Sequence, residues 1–445
     1  MPDPSPDPVA LLLSLEKLGI KFGLDNIRTL CEALGRPQDA WPSVIVAGTN
    51  GKGSVAAMVE TGLRASGRRT GLYTSPHLVR LEERFAIDGR PVATGRLRAS
   101  ASRVIQAIAS SRAEGTLLAD PTFFEATTAV AFDLFRETGV EAAVLEVGLG
   151  GRFDATNVAS PLAGAITTID LDHRELLGDT LAAIAAEKAG VVKPGMRVVV
   201  GERKAEAVDV IARACTERGA VMIPAADGVE ARVSVAEGPA SPGRPPERTL
   251  RLALRTPVRD YGTLGLSLRG RHQVDNAVVA ARLLETLEQV GLPVPAGAVR
   301  AALTETRWPG RLDLREAGGG RRVLLDAAHN PAGAAVLAAY LREFVPGGLP
   351  IVFAIMRDKD VAGTLGPILP FASPLIVTRP ATPRAMPPDD AAAVARRLGR
   401  DRGVEVEPDV ERALAAAWRR ADLIAACGSI FLVGEAFDRI GLPAW

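Results

Sequence analysis

Ser43-Val44-Ile45-Val46-Ala47-Gly48-Thr49-Asn50-Gly51-Lys52-Gly53-Ser54 runs from a β-branched stretch through a glycine-rich turn and straight into Val55-Ala56-Ala57-Met58-Val59-Glu60. The opening residues predict a buried strand and the closing ones a helix. A strand, a glycine turn carrying one lysine and a helix opening on a hydroxyl residue together make a phosphate cradle. Glycines let backbone N–H groups close around an anion, and the helix N-terminus adds its partial positive charge. Lys52 then neutralises the terminal phosphates. The spacing Gly48-x-x-Gly51-Lys52-Gly53-Ser54 is tighter than the common Gly-x-x-x-x-Gly-Lys-Ser/Thr, so the generic motif matches only loosely. A ligand-free turn is the alternative, but strand, lysine and serine in this order favour a nucleoside triphosphate.

Outward from this turn, short apolar strands alternate with helical stretches. A helix over 122–138 leads to a strand from Ala142 to Val147, and a strand from Ala163 to Ile169 leads to a helix over 177–190. A strand from Arg197 to Val200 leads to a helix over 203–217. This rhythm predicts βαβ units and a mostly parallel sheet covered on both faces. Residues 228–268 read instead as a small antiparallel subregion with a flexible loop from Glu237 to Pro246. A helix over 272–290 follows. After Trp308-Pro309-Gly310 a second series begins: a strand at Val323–Leu325, a helix over 331–343, and strands at Ile351–Ala354 and Leu375–Val377. Helices near 388–399 and 408–420 and a strand over 430–433 complete it. The expected fold class is α/β: a P-loop-type, mostly parallel unit over 1–306, and a smaller Rossmann-like α/β unit over 307–445. A Pro/Gly hinge at about 306–311 joins them.

Bulk properties narrow the function. At 445 residues the chain exceeds a single core, and 47% apolar residues suffice for sizeable ones. A net charge of +1 leaves no electrostatic footprint for nucleic acid. The three cysteines, Cys31, Cys215 and Cys427, are far apart and lack metal-type spacing, which suits a reducing cytoplasm. The apolar run from Val9 to Leu15 lacks a positive leader and soon meets Glu16 and Lys17, so neither a signal peptide nor a membrane span is expected.

All four histidines fall in chemically marked segments, His77, His173, His272 and His329. His77 and His272 read equally well as hydrogen-bonded framework residues. Glu146 ends an otherwise apolar strand, where ligands of open parallel sheets sit. A carboxylate there needs a cation, and Mg²⁺ is the natural companion of a triphosphate; an ion pair with Arg152 is the alternative. His173 follows the acidic strand end Asp170-Leu171-Asp172 and could share a second divalent ion with Glu146 at neighbouring strand tips. Lys188, in Glu187-Lys188-Ala189-Gly190, reads by itself as an ordinary helix lysine. In the second unit Asp326 ends a strand and Pro331 opens a helix, which puts Asp326, His329 and Asn330 on a lip facing the first unit. Arg311 on the hinge is a candidate fork for phosphate or carboxylate. A cradle on one unit and a polar lip on the other suggest a cleft that closes over ATP.

Taken together, these segments resemble the folylpolyglutamate synthase/dihydrofolate synthase family of the Mur ligase superfamily. The matching blocks include Gly48 to Ser54, Thr74-Ser75-Pro76-His77-Leu78, Glu83-Arg84-Phe85, Leu145 to Asn157 and Leu171-Asp172-His173. Further on come Glu187-Lys188-Ala189-Gly190, His272-Gln273 with Asn276-Ala277, Trp308-Pro309-Gly310-Arg311, Asp326 to Pro331, Asp358-Lys359-Asp360 and Gly428-Ser429. They keep the family's order and span about residues 43 to 435.

The resemblance implies an ATP-dependent amide ligase that adds L-glutamate to dihydropteroate, to reduced folates, or to both, through an acyl phosphate. It implies a cradle of Asn50, Gly51, Lys52, Gly53 and Ser54, and nucleotide contacts from Asn276, Arg311 and Asp326. Ser75, Glu146 and His173 would hold Mg²⁺, with two metal sites and a carbamylated Lys188 beside the second. Phe123, Phe124 and Glu125, with Arg152, Phe153 and Asp154, correspond to the pterin-substrate region. His329 and Ser429 lie where glutamate is handled, and Lys52, Lys188 and His329 would be catalytic. The implied protein is a cytoplasmic monomer with small-molecule partners and no nucleic-acid or membrane partner. A peptidoglycan-precursor ligase is disfavoured because the phosphate loop begins within the first 50 residues. A P-loop ATPase switch gives no reason for the lip from Asp326 to Pro331.

Overall fold

The opening stretch folds as read. The computed structural model describes residues 7–19, 21–238, 248–399, 403–442 and 445. In it Ser43–Ala47 is a strand (β1) with every residue buried. The helix α1, Lys52–Ala65, opens directly from the glycine turn. A strand without polar alternation is buried on both faces, as β-branched runs in parallel sheets are.

Around β1 are β2 (Thr70–Tyr73), β3 (Phe85–Ile87), β4 (Arg90–Pro91), β5 (Ala142–Glu146), β6 (Ala163–Ile166), β7 (Arg197–Val200) and β8 (Val221–Pro224). Their order in the sheet is β4-β3-β2-β5-β1-β6-β7-β8. Only the β2/β3 and β3/β4 pairs are antiparallel. Helices cover both faces. On one face, α1 packs with α4 (His272–Gln289) and α5 (Ala296–Thr304), where Val44 and Val46 meet Met58, Leu63, Leu284 and Ala302. On the other face, α2 (Phe123–Glu137) brings Phe132 and Phe135 against Leu145, and α3 (Leu181–Ala189) brings Ile184 against Ile45 and Ile166.

The antiparallel subregion is a three-stranded sheet, β9 (Glu230–Glu237), β10 (Arg248–Arg255) and β11 (Asp260–Gly265). In β10, Leu250, Leu252 and Leu254 alternate inward with the period of two expected of a half-buried strand. Most of the loop expected between Glu237 and Pro246 lies outside the described residues.

A second sheet has the order β12-β13-β17-β14-β15-β16. Its strands are β12 (Asp313–Glu316), β13 (Arg322–Asp326), β14 (Leu349–Phe353), β15 (Ala372–Val377), β16 (Val404–Val406) and β17 (Leu423–Cys427). All pairs are parallel except β12 with β13. Two apolar clusters cover its faces, one around Leu337, Phe353 and Leu365 and one around Val352, Ile424 and Phe437.

Three local readings change. The expected strand at 430–433 is the first turn of a helix, α7 (Ile430–Ile440), and the last strand is β17 before it. A short apolar run does not distinguish strand from buried helix. Ser429 decides it, because its Oγ accepts from the Phe431 N–H and caps the helix. The strand from Ala163 stops at Ile166. The helix expected over 177–190 is split, because Gly178 interrupts it and Thr180 caps α3 afresh. Among the described residues no helix is long and apolar enough to cross a membrane.

Candidate active site

The phosphate loop is held from below. Thr167 Oγ1 donates to the Asn50 carbonyl at 2.6 Å, and the Asn50 amide donates to Asp170 at 3.2 Å. Gly51 has φ of +86°, and a Cβ there would run into the Asn276 side chain. Only glycine fits this left-handed position cheaply. Lys52 donates to the carbonyls of Gly48 and Thr49 at 3.1 and 3.3 Å. Burial pushes its pKa down, against the pull of Glu146 and Asp172. Ser54 is buried, its Oγ accepting from Gln273, which in turn accepts from Asn276.

Glu146 lies at the tip of β5 and accepts from the Ser75 N–H at 3.2 Å. Burial raises its pKa, with Lys52 the main opposing influence. Arg152 does not reach it and pairs with Glu187 at 2.7 Å instead. Gly53, Ser75, His77 and Glu146 line one side of a narrow crevice of about 30 Å³, while Trp308, Arg311, Ala327 and Ile430 line the other. Both units therefore wall the same space. Arg311 also borders a wider groove of about 680 Å³ lined by residues 304–308 and 312–315.

The strand tips carrying Glu146 and His173 are not neighbours. β1 lies between β5 and β6, so the phosphate loop separates them. Among the described residues no three His, Cys, Asp or Glu side chains gather into a ready-made metal cage. His173 adopts a left-handed conformation with Nε2 4.0 Å from Asp172.

Lys188 departs most from its sequence reading as an ordinary helix lysine. Its side chain is buried, and Nζ donates to the Gly48 carbonyl of the phosphate loop at 2.7 Å. Burial, assisted by the charge of Lys52, pushes its pKa down to about 7.

On the facing lip, Asp326 turns inward and accepts from the N–H groups of Leu312 and Ala328 at 2.8 and 2.9 Å. Burial raises its pKa while Arg311 lowers it. His329 Nδ1 lies 2.9 Å from the Ala327 carbonyl, and burial pushes this histidine down to about 4. Asn330 caps the helix α6 (Pro331–Phe344) through Oδ1 and sends its amide across the seam to Asp172 and Asn50. Lys359 reaches Asp172 from the same side at 3.1 Å. Ser429 is buried as the cap of α7.

The residues read as the pterin region divide. Asp154 is buried with both oxygens satisfied, by the N–H groups of Gly148, Leu149 and Thr156 and by the Thr156 hydroxyl. Glu125 accepts from the Thr122 N–H and hydroxyl, completing the capping box of α2. Phe124 stacks near Tyr73. Phe153 stays half-exposed against Phe22, their centroids 6.1 Å apart. Phe123 lies under Arg84, whose Nε donates to His77 Nδ1 at 2.9 Å. Arg84 is buried and makes no ion pair among the described residues; burial lowers its pKa, while Tyr73, Glu16 and Glu146 oppose that shift.

Known proteins share this architecture. Residues 310–430 match the model of the Mur ligase, glutamate ligase domain. The dihydrofolate synthase/folylpolyglutamate synthase of Mycobacterium tuberculosis is 35% identical over 99% of this chain and 92% of its own length. The chain belongs to the folylpolyglutamate synthase/dihydrofolate synthase family of Mur-type ligases. A probable bifunctional folylpolyglutamate synthase/dihydropteroate synthase of Haloferax volcanii is 36% identical over 96% of the chain, which spans only 49% of that longer relative. The structure of Mycobacterium tuberculosis folylpolyglutamate synthase complexed with ADP superposes with a TM-score of 0.85 at 32% identity, covering 98% of this chain and all of the other.

Within the family's blocks, sequence reasoning gave Asp172 and Lys359 no role of their own and placed Asn330 on the lip without a partner. The available signals were the acidic strand end that carries Asp172 and the Asp358-Lys359-Asp360 block. The pairing of Asp172 with Lys359 joins residues 187 positions apart and is invisible to local pattern.

Proposed function

We propose that this chain uses ATP to activate a pteroate or folate carboxylate and joins it to the amine of L-glutamate. The acceptor is the carboxyl of dihydropteroate, the γ-carboxyl of a folate, or both. The observation that carries the reading is the shared cleft: the phosphate loop and Glu146 on one wall face Arg311, Ala327 and Ile430 on the other. We take residues 1–306 and 307–445 as the two working units, and the protein as a cytoplasmic monomer.

In the first step a carboxylate oxygen attacks the γ-phosphorus of ATP, ADP leaves, and an acyl phosphate forms. Lys52 and the N-terminus of α1 hold the triphosphate, and Asn276, Arg311 and Asp326 hold the rest of the nucleotide. The amine nitrogen of glutamate then attacks the acyl carbon, phosphate leaves, and the amide remains. His329 is positioned to serve this step. With Nδ1–H donated to the Ala327 carbonyl, Nε2 keeps a free lone pair at neutral pH that can accept a hydrogen bond from the amine and aim it at the acyl carbon, while the proton the amine loses leaves with the departing phosphate. Walls from both units exclude water that would hydrolyse the acyl phosphate.

Ser75, Glu146 and His173 would hold Mg²⁺ at two positions. The residues fit such an ion: one buried carboxylate beside a phosphate cradle, with no full protein cage, suits a cation that keeps waters and binds phosphate oxygens. When bound, it would neutralise charge as carboxylate and triphosphate approach. Lys188 would act as its carbamate. A buried amine held near 7 has a substantial neutral fraction at physiological pH, and attack on CO₂ requires that form. Phe123, Phe124, Arg152, Phe153 and Asp154 would receive the pterin end.

An ADP-release assay tests the proposal by comparing dihydropteroate plus L-glutamate with reduced folate plus L-glutamate. Release that needs both the pterin acid and glutamate supports it. Release without a carboxylate substrate, or none with either acid, refutes it.

A further inference from the structure

His77 has no part in the steps above, yet its surroundings hold it in one pose. Its loop follows β2, and at one end the Ser75 N–H donates to Glu146 at 3.2 Å. At the other end the buried Glu83 carboxylate accepts from the N–H groups of Leu78, Val79 and Arg80 at 2.7, 3.1 and 2.9 Å. The ring itself is held by Arg84, 7% exposed, whose Nε donates to His77 Nδ1 at 2.9 Å. A guanidinium has donors and no acceptor, so Nδ1 must present its lone pair and the ring proton must sit on Nε2. That Nε2–H has no hydrogen-bond partner among the described residues. His77 lines the crevice shared with Gly53, Glu146 and Arg311, and Arg84 stands 5.0 Å over the Phe123 ring. The unused donor therefore lies where the residues of the pterin side meet the phosphate loop.

We infer that His77 is a catalytic residue whose Nε2–H donates to the acyl oxygen, and that Arg84 is the positioning residue that keeps this tautomer in place. The inference rests on the function proposed above. When the glutamate nitrogen attacks, the new C–N bond pushes the carbonyl electron pair onto oxygen. The C=O bond re-forms as the C–O bond to phosphate breaks, the amine proton leaves with the phosphate, and His77 keeps its own proton throughout. A donor fixed before the reaction stabilises that oxyanion without having to reorganise. It does less for the first step, in which the carboxylate loses charge. Removing the donor therefore slows aminolysis more than phosphoryl transfer, and acyl phosphate left waiting is open to hydrolysis.

Measuring ADP and amide together tests this, on the full chain with ATP, L-glutamate and dihydropteroate or a reduced folate. His77→Leu should lower the rate of amide formation about 10²–10³-fold, with ADP released in excess over amide. His77→Gln, which offers an amide N–H in place of the imidazole donor, should regain about tenfold and bring ADP and amide back into balance. A merely structural role would lower both products alike, and glutamine would rescue neither. Heteronuclear NMR of the full chain with isotope-labelled histidine reads the tautomer directly. The signal missing from His77→Leu should show a protonated Nε2 and a bare Nδ1 in wild type, and Arg84→Met should turn it into a mixture of tautomers. Equal loss of ADP and amide in His77→Leu, or a protonated Nδ1 in wild type, overturns the inference. If the ligase reading alone fails, wild type forms no amide while the tautomer signal and its response to Arg84→Met persist; the fixed donor then stands and its assignment to the acyl oxygen falls.

Discussion

Replacing Lys188 by methionine should stabilise the protein, and most strongly below pH 7. The Lys188 side chain is 4% exposed, donates to the Gly48 carbonyl and faces the like charge of Lys52. Burial is the main reason its pKa falls from 10.5 to about 7. The unfolded chain therefore holds this proton up to about pH 10.5, whereas the folded chain releases it near 7. Below 7 both states are protonated and the full penalty of a buried ammonium is present. Between 7 and 10.5 stability rises with pH as the unfolded state alone stays charged, and above 10.5 the penalty is gone. A difference of about 3.5 pH units at about 1.36 kcal/mol each makes the penalty about 5 kcal/mol. Methionine removes it while nearly preserving volume, and loses a charged hydrogen bond worth about 1.5–3 kcal/mol. The net gain at pH 6 should be about 2–4 kcal/mol, fading to nothing or reversing by pH 10. Urea unfolding of both proteins at pH 6, 8 and 10 in CO₂-free buffer measures it. A stability difference independent of pH would refute the reasoning. Adding bicarbonate near pH 8 should then stabilise wild type but leave Lys188→Met unchanged, because only the lysine can form a carbamate.

Three further outcomes are expected. Lys52→Ala should lower turnover by several orders of magnitude with the fold intact by circular dichroism; near-normal turnover would remove the phosphate loop from the mechanism. Anomalous scattering from a nucleotide-bound crystal soaked in Mn²⁺ should place peaks within coordination reach of Glu146 and of His173, and peaks touching neither would break that assignment. Gly53→Ala would bring a Cβ to 2.8 Å from the Trp308 indole, so the hinge must move away from the phosphate loop. Its KM for ATP should rise about tenfold or more, and an unchanged KM would show that Trp308 does not set the cleft width.

What sequence could and could not disclose follows from how far apart the contributing residues lie. The phosphate loop was legible because strand, turn and helix are contiguous, and each glycine answers a local demand, as Gly51 does at its positive φ. Glu146 was legible for a related reason: a carboxylate closing an apolar strand is anomalous within its own few residues. The end of the chain misled because Ile430-Phe431-Leu432-Val433 fits strand and buried helix alike, although Ser429 before it was an available capping signal. Lys188 could be read only through the family resemblance. Its burial comes from α3 packing beneath β1, which brings it to a carbonyl 140 positions away, and nothing near it in sequence distinguishes it from a solvated lysine. Asp172 and Lys359 are likewise unremarkable until the loops after β6 and β14 meet. Groups carrying chemistry on one element can be inferred from that element. Groups whose properties are created by packing, a depressed amine or a carboxylate held across a seam, exist as functional groups only once the chain has folded.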